Sequence, residues 1–161
     1  MNANDDFTSL IRAVELQHSE FESMVRNRPS ILAVTGPHGE TLLHWLAVEE
    51  RPEAVRTLAR LGAKIDTVNE FGNTALMECS QVGKHQMVSL LLDLGANPHF
   101  QSPRDGNTPL HLAAQSGRME VYNLLISRGA DPMTKNKFGE TPLNLLEFNR
   151  KWVTSEEEGE A

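Results

Sequence analysis

The sequence predicts an all-α solenoid, in which helix-turn-helix units are stacked side by side and hairpin loops project from one edge. Three landmarks that recur in phase support this prediction. A threonine-led motif returns after 33, 34 and 33 residues, at Thr41, Thr74, Thr108 and Thr141. A glycine precedes each threonine by two residues, and a Gly-Ala pair follows the first three threonines after 21 residues. Landmarks that share a period of this length indicate a repeated structural unit.

Each unit contains the signals that start and stop two helices. The threonine can cap the first helix by accepting a hydrogen bond from a free backbone N–H, and the proline after it, as at Pro109 and Pro142, suits the first helical position. The second helix is expected to end at the glycine of the Gly-Ala pair, such as Gly95, because glycine adopts the left-handed conformation of a helix cap without strain. The polar, turn-rich residues that follow are expected to form the hairpin loop.

This pattern defines three complete units, over residues 36–68, 69–102 and 103–135, which we call the first, second and third unit. The loop between Gly95 and Gly106 is one residue longer than its counterparts. The middle of the stack is therefore expected to differ locally from the pattern of the other units.

Both ends are expected to carry atypical units, because an end unit has one face without a neighbour. Residues 1–35 are predicted to form a degenerate N-terminal capping unit, in which Asp5-Asp6 can open one helix and Phe21, Met24 and Val25 mark a second. Residues 136–152 are predicted to form a truncated C-terminal capping unit with one helix. Residues 153–161 are predicted to be an acidic disordered tail.

The four copies of the motif read Thr-Leu-Leu-His (41–44), Thr-Ala-Leu-Met (74–77), Thr-Pro-Leu-His (108–111) and Thr-Pro-Leu-Asn (141–144). With this motif and this period the chain resembles the ankyrin repeat family, clearly over residues 36–150 and weakly over residues 5–35. The resemblance implies an ankyrin-repeat solenoid, in which the motif histidines His44 and His111 make structural hydrogen bonds near the threonine cap. The second unit departs from the family pattern, since Met77 replaces the histidine and Glu78-Cys79-Ser80 replaces Leu-Ala-Ala.

The composition narrows the cellular setting. The chain contains no apolar run long enough to span a membrane, its amino terminus has no apolar signal region, and its single cysteine cannot form an internal disulfide. These features favour a cytoplasmic location. Of the net charge of −7, four charges come from tail glutamates, so the folded body is only mildly acidic and nucleic-acid binding is disfavoured. No membrane partner is expected.

The residues that could act in catalysis or bind a metal are not expected to come together in one site. His44 and His111 lie two units apart, so packed helices should hold them roughly 20 Å from each other, too far to share a metal ion. Cys79 is expected to be a buried, inert thiol, and the adjacent Glu78 points in a different direction on a helix. No phosphate-binding glycine loop, zinc motif or nucleophile elbow is present. We therefore expect no enzymatic activity, no cofactor and no metal.

A surface for another protein is the remaining prediction, because stacked repeats form an extended concave face. The resemblance implies that this face is built from the loop tips and the first helices. Carrying that pattern over by register selects these candidate partner-binding residues: His38, Glu40, Glu49, Glu70, Phe71, Asn73, Gln81, Phe100, Arg104, Asp105, Asn107, Gln115, Lys137, Phe138 and Glu140. The unbound chain is expected to be a monomer.

Aromatic residues near the loop tips are candidate binding anchors. Phe71 and Phe138 are equally compatible with binding and with packing on the adjacent loop. For Phe100, which lies in the longer loop beside Arg104, the binding role is favoured over packing. Phe100 and Arg104 together are predicted to dominate the binding energy. Trp45 and Trp152 are expected to pack in the core and at the end of the stack.

Three functions remain open. The leading hypothesis is a protein-binding module that acts by occupying its partner, as a stoichiometric inhibitor or a small adaptor. The alternatives are a bacterial-type immunity protein that neutralises a cognate toxin, and a structural subunit of a larger assembly. This step rests on analogy at the level of the fold. The size of the native complex and the identity of a captured partner would separate these functions.

Overall fold

Helix pairs recur along the chain at the period of the motif. A computed structural model of the protein describes residues 3–16 and 18–148. Within this part the helices are α1 (Ala3–Leu16), α2 (His18–Asn27), α3 (Leu42–Val48), α4 (Pro52–Arg60), α5 (Ala75–Val82), α6 (His85–Asp93), α7 (Pro109–Gln115) and α8 (Met119–Ser127). A 3-10 helix covers Pro29–Ala33, and residues 142–148 are helical.

The first helix of each complete unit begins at its threonine, as predicted. Thr74 and Thr108 accept hydrogen bonds from the backbone N–H groups three residues later, at 3.3 Å and 3.4 Å. In the third unit the cap is reciprocal, because Nδ1 of His111 accepts from the backbone N–H of Thr108 at 3.1 Å. The side chain of Met77 has no nitrogen that could accept such a bond, so in the second unit the helix is capped by the threonine side chain alone.

The second helix of each complete unit ends at a left-handed glycine. Gly95 has φ = +91° after the last residues of α6. Nothing lies within 4 Å of the position that a Cβ atom would occupy there. The requirement for glycine at this position therefore comes from the backbone angle and not from crowding.

One continuous apolar core runs the length of the stack. The inner helices α3, α5 and α7 pack side by side, and each packs against the outer helix of its own unit. Leucines at helical spacing fill the centre of each layer and are fully buried, as at Leu46, Leu76, Leu91, Leu110 and Leu125. Among the described residues there is no strand, only an isolated antiparallel bridge between Thr35 and Thr41. The predicted all-α solenoid is confirmed.

The two ends differ from the complete units. At the amino end, α1 and α2 close the core with Phe7, Leu10, Phe21 and Val25. Helix α1 already includes Ala3, so the acidic pair that was expected to open the helix lies inside its first turn. At the carboxyl end, the predicted extension to Trp152 and the predicted acidic tail lie outside the described residues.

The hairpin loops end in four tight tips, which we call fingers. In three of them the backbone N–H of the first residue donates to a carbonyl four residues later, over residues 36–40, 69–73 and 136–140, at 2.8–3.0 Å. In the third finger, residues 102–107, the N–H of Ser102 donates to the carbonyl of Asn107 at 2.8 Å. The additional residue of the long loop therefore lies in the finger itself.

Candidate binding groove

The fingers are joined edge to edge. The N–H of Glu70 donates to the carbonyl of His38 at 2.9 Å, and the N–H of Lys137 donates to the carbonyl of Asp105 at 2.8 Å. Between the second and third fingers, a side chain makes the connection, since Nη1 of Arg104 donates to the carbonyl of Glu70 at 3.4 Å. These bonds turn four separate loops into one continuous rim.

Gly106 shows why the finger glycines recur. Its φ is +76°, and a Cβ atom there would lie 3.0 Å from the backbone nitrogen of Lys137 in the next finger. A side chain would therefore be strained and would also push the fourth finger away. Gly39, Gly72 and Gly106 each lie against the next finger in this way and allow the rim to close.

One position in each finger points its side chain away from the turn. Its backbone N–H is bound by a side chain of the same finger: Asn69 binds Phe71 at 3.0 Å, Ser102 binds Arg104 at 3.3 Å and Asn136 binds Phe138 at 3.0 Å. The two phenylalanines are 49% and 74% exposed. In the first finger this position is His38, whose ring centroid lies 5.8 Å from that of Phe71.

The fingers and the inner helices enclose a groove. Its central part is a cavity of about 530 Å³ that extends over the second, third and C-terminal units. We call this cavity the central groove. It is lined by Phe71, Asn73, Gln81, Arg104, Asp105, Asn107, Leu112, Gln115, Phe138, Glu140 and Leu145.

A second cavity continues the central groove toward the C-terminal end of the described chain. It measures about 520 Å³ and shares Gln115, Glu140 and Leu145 with the first. Phe148, which is 60% exposed, forms part of its wall. The concave face therefore carries apolar side chains at both ends of a groove that crosses several units.

Glu78 is the charged residue of the inner helix α5 and lies one helical turn before the groove residue Gln81. Burial raises the pKa of its carboxyl group, and the nearby Glu40 raises it further. Nδ2 of Asn69 donates to this carboxylate at 2.6 Å, which opposes the shift. Among the described residues Glu78 forms no ion pair.

The two motif histidines tie the first unit to the second and the third unit to the C-terminal unit. Nε2 of His44 donates to the carbonyl of Asn73 at 3.0 Å, and Nε2 of His111 donates to the carbonyl of Glu140 at 3.1 Å. Because Nδ1 accepts from the threonine N–H, both rings are held as the Nε2–H tautomer. Burial lowers the pKa of both histidines. The predicted structural hydrogen bonds are confirmed.

Sequence comparison identifies the repeat. A sequence model of the family described as ankyrin repeats, in three copies, matches residues 43–136. The chain belongs to the ankyrin repeat family. A protein of Acanthamoeba polyphaga mimivirus that is named as an ankyrin repeat protein is 39% identical over 51 residues. This match covers 32% of the present chain and 32% of the viral protein, so the chain matches about a third of the length of that relative.

Ankyrin repeats are generally protein–protein interaction modules, and the family is a non-catalytic one. In this ankyrin stack Cys79 is fully buried, and burial raises the pKa of its thiol to about 12. In the part of the chain that the structure describes, no group of three or more His, Cys, Asp or Glu side chains could hold a metal ion. None of the helices described is long and apolar enough to cross a membrane.

The ankyrin groove brings together a majority of the residues selected from the sequence. Nine of them line it: Phe71, Asn73, Gln81, Arg104, Asp105, Asn107, Gln115, Phe138 and Glu140. The other six lie outside its lining: His38, Glu40, Glu49, Glu70, Phe100 and Lys137. Phe100 is half-buried, so Phe71 and Phe138, which line the groove, are better placed than Phe100 to act as aromatic anchors.

Two leucines of the groove floor were missed in the sequence. Leu112 and Leu145 each follow the motif threonine by four residues. They read as ordinary core positions, and Leu112 is indeed largely buried. The signal that could have found them is the register, since Trp45 and Glu78 occupy the same position in the preceding units.

Asn107 lines the groove but is already engaged. Its Nδ2 donates to the carboxylate of Asp105 at 2.9 Å, and its Oδ1 accepts from Nδ2 of Asn136 at 2.9 Å. The side chain is buried and links the third finger to the fourth. Asn107 therefore holds the third and fourth fingers together at the edge of the groove.

Proposed function

We propose that the chain acts by occupying a partner protein through the central groove, as a stoichiometric inhibitor or a small adaptor. The observation that supports this proposal is the placement of two exposed phenylalanines, Phe71 and Phe138, above a floor formed by Leu112. A few buried aromatic side chains commonly supply most of the binding energy of an interface. Exposed phenylalanines beside an apolar floor offer a partner this kind of anchor.

The proposal excludes catalysis by this chain. The buried thiol of Cys79 is held neutral, and thiolates are the reactive form of cysteine. In both motif histidines, Nδ1 is hydrogen-bonded within the helix cap and Nε2 is hydrogen-bonded to a backbone carbonyl of the next finger. We further propose that the unbound chain is a cytoplasmic monomer whose partner is neither a nucleic acid nor a membrane.

Affinity capture from the native organism, followed by mass spectrometry, tests this function. We expect Phe71→Ala with Phe138→Ala to weaken binding of the captured partner by about 2 kcal/mol or more, a typical loss at an interface anchor. Stability should change little, because both side chains face solvent. The measurement is isothermal titration with the purified partner, with thermal melts of each variant.

Phe100→Ala is the matched control, since it removes the same ring from a position outside the groove. A partner that binds the double variant as tightly as wild type would place the interface elsewhere. The identity of the captured protein would also separate an inhibitor or adaptor from a protein that neutralises a toxin, and a large stable complex would indicate a structural subunit.

A further inference from the structure

One position of the repeat lies four residues after each motif threonine, and its members are Trp45, Glu78, Leu112 and Leu145. Leu112 and Leu145 line the groove, and by register Trp45 and Glu78 continue this row along the inner helices α3 and α5. The chemistry of the row changes along the stack, because an acid occupies the second unit and leucines occupy the third and C-terminal units. A ligand lying along this row from the second unit to the C-terminal unit would meet a carboxylate first and an apolar floor next.

Glu78 carries an unsatisfied charge in this row. Its carboxylate is half-buried and receives one hydrogen bond from a neutral amide, that of Asn69. The structure shows no cation paired with it among the described residues, and Glu40 adds a repulsive charge. A half-buried carboxylate of this kind loses hydration without gaining a charged partner, so a cation brought by a ligand would be well placed to stabilise it.

The surrounding charges reinforce this preference. Glu40 and Glu49 belong to the first unit and Glu70 to the second, and the charge of Glu40 acts on Glu78. The cations of the rim are engaged with backbone carbonyls of neighbouring fingers: Nη1 of Arg104 binds Glu70, and Nζ of Lys137 binds Arg104 at 3.2 Å. Long-range attraction at this end of the groove therefore favours a basic ligand.

The other end of the row is apolar. Leu112 and Leu145 form its floor, and the exposed rings of Phe138 and Phe148 flank it. Neighbouring inner helices are separated by about 10 Å, and an extended chain advances about 3.3 Å per residue. One repeat of the floor therefore corresponds to about three residues of an extended ligand.

Building on the proposed function, we propose that the groove binds an extended segment of a partner protein in which a lysine or arginine lies over Glu78 and a large apolar side chain, about three residues away, lies over Leu112. The charge of the second unit selects the basic residue. The leucine floor and the neighbouring rings select the apolar one. A partner with an acidic segment or a second copy of this chain would be a competing occupant.

The probe is a library of random peptides displayed on phage, each long enough to cover two repeats, about seven residues. The library is selected on the full chain. Peptides enriched on wild type should contain a basic residue and a large apolar residue about three positions apart. Their affinities are then measured on variants by fluorescence anisotropy with synthetic peptides.

Glu78→Gln is the informative variant, because it removes the charge and keeps an oxygen that can accept from Asn69. We expect this variant to weaken the enriched peptides about fivefold, as for the loss of one ion pair, and to reduce the salt dependence of binding. Glu53→Gln is the matched control, since it removes an equal charge from an exposed position on the outer helix α4. This control should bind as wild type does.

Three results would overturn the inference. Enriched peptides could be acidic, could lack the basic and apolar pair, or could bind Glu78→Gln and wild type equally well. Each would leave the proposed function intact if Phe71→Ala with Phe138→Ala still weakened binding of the captured partner. If the selection yields no peptide that binds the groove, that result would also contradict the inference. The capture experiment would then decide the proposed function.

Discussion

A single buried position, three residues after each capping threonine, carries a histidine in the first and third units and a methionine in the second. His44, Met77 and His111 are all nearly inaccessible to solvent. The histidines make two bonds that the methionine lacks, one within the cap and one to the next finger. The methionine shows that the position accepts an apolar side chain of similar length.

The histidines should make the stack sensitive to acid. Burial lowers the pKa of His44 and His111 in the folded protein below the ordinary value of 6.5. The unfolded chain then binds more protons below about pH 6.5, so their contribution to stability is complete above this pH and is lost as the pH falls toward the folded pKa. We expect the urea midpoint to fall between about pH 7.5 and 5.5.

His44→Met with His111→Met tests this origin of the acid sensitivity. The variant should be less stable at neutral pH, by about 1 kcal/mol for each lost hydrogen bond, and its midpoint should depend less on pH. His85→Gln, on an exposed side chain, is the control for removing a histidine. An unchanged pH profile in the double variant would assign the sensitivity to other groups.

Gly95 permits a second test at the level of one residue. Because its φ is +91° and space for a side chain is open, a substitution there changes backbone strain alone. We expect Gly95→Val to lower the unfolding free energy by about 1 kcal/mol or more, and Gly95→Asn to lower it less, since asparagine tolerates this conformation better. Denaturant midpoints at constant slope measure the difference. Equal stabilities of wild type and the valine variant would exclude a strained cap.

At the scale of the elements, the joint between the second and third units is built differently from its neighbours. The first and last joints each have a histidine bond to the next finger and a backbone bond between fingers. The middle joint has arginines of the third unit. Nε of Arg118 donates to the carbonyl of Gln81 at 3.2 Å, and Arg128 binds Asp93 at 2.8 Å and Ser89 at 3.1 Å.

This arrangement predicts that arginine substitutions will uncouple the two halves of the stack. Arg118→Ala with Arg128→Ala should lower the unfolding free energy by about 1 kcal/mol, since exposed ion pairs and single hydrogen bonds contribute little each. The larger effect should be on cooperativity, because each repeat is stabilised by its neighbours alone. Hydrogen exchange should then show α3 to α6 and α7 to α8 opening with different free energies.

Arg56→Ala is the control for this experiment. Arg56 forms a long, exposed ion pair with Glu53 inside a single unit, at 3.8 Å, so its loss should not affect any joint. Uniform exchange across the stack in the double arginine variant would show that apolar packing between α5 and α7 alone couples the halves.

The helices could be predicted from the sequence because their signals are local. Thr74 and Thr108 lie next to the helices that they cap, and Gly95 lies next to the helix that it ends. The middle joint could not be predicted, since Arg128 meets Asp93 only after two outer helices have packed. Leu112 was missed for a related reason: a leucine in an inner helix looks the same in sequence whether it faces the core or the floor of a groove.

At the scale of the whole molecule, the groove crosses the middle joint, with Gln81 on one side and Gln115 on the other. The sequence register selected residues of the fingers that line this groove, because the tip residues are set by short turns. The anchor selected from the sequence, Phe100, lies outside the groove lining. Phe100 is half-buried, whereas Phe138 in the fourth finger is the more exposed ring.

The third finger is one residue longer than the others, and it gives the row of fingers a direction. A strictly periodic array is degenerate, because a ligand shifted by one unit, or reversed end to end, meets nearly the same contacts. The turn from Ser102 to Asn107 removes this translational symmetry, and it carries Arg104 at the position that Phe71 and Phe138 occupy in the two neighbouring fingers. A ligand that fits beside Arg104 in one alignment would meet a shorter turn and a different side chain after slipping one unit either way. For the proposed ligand, the odd finger would therefore distinguish both the alignment and the polarity.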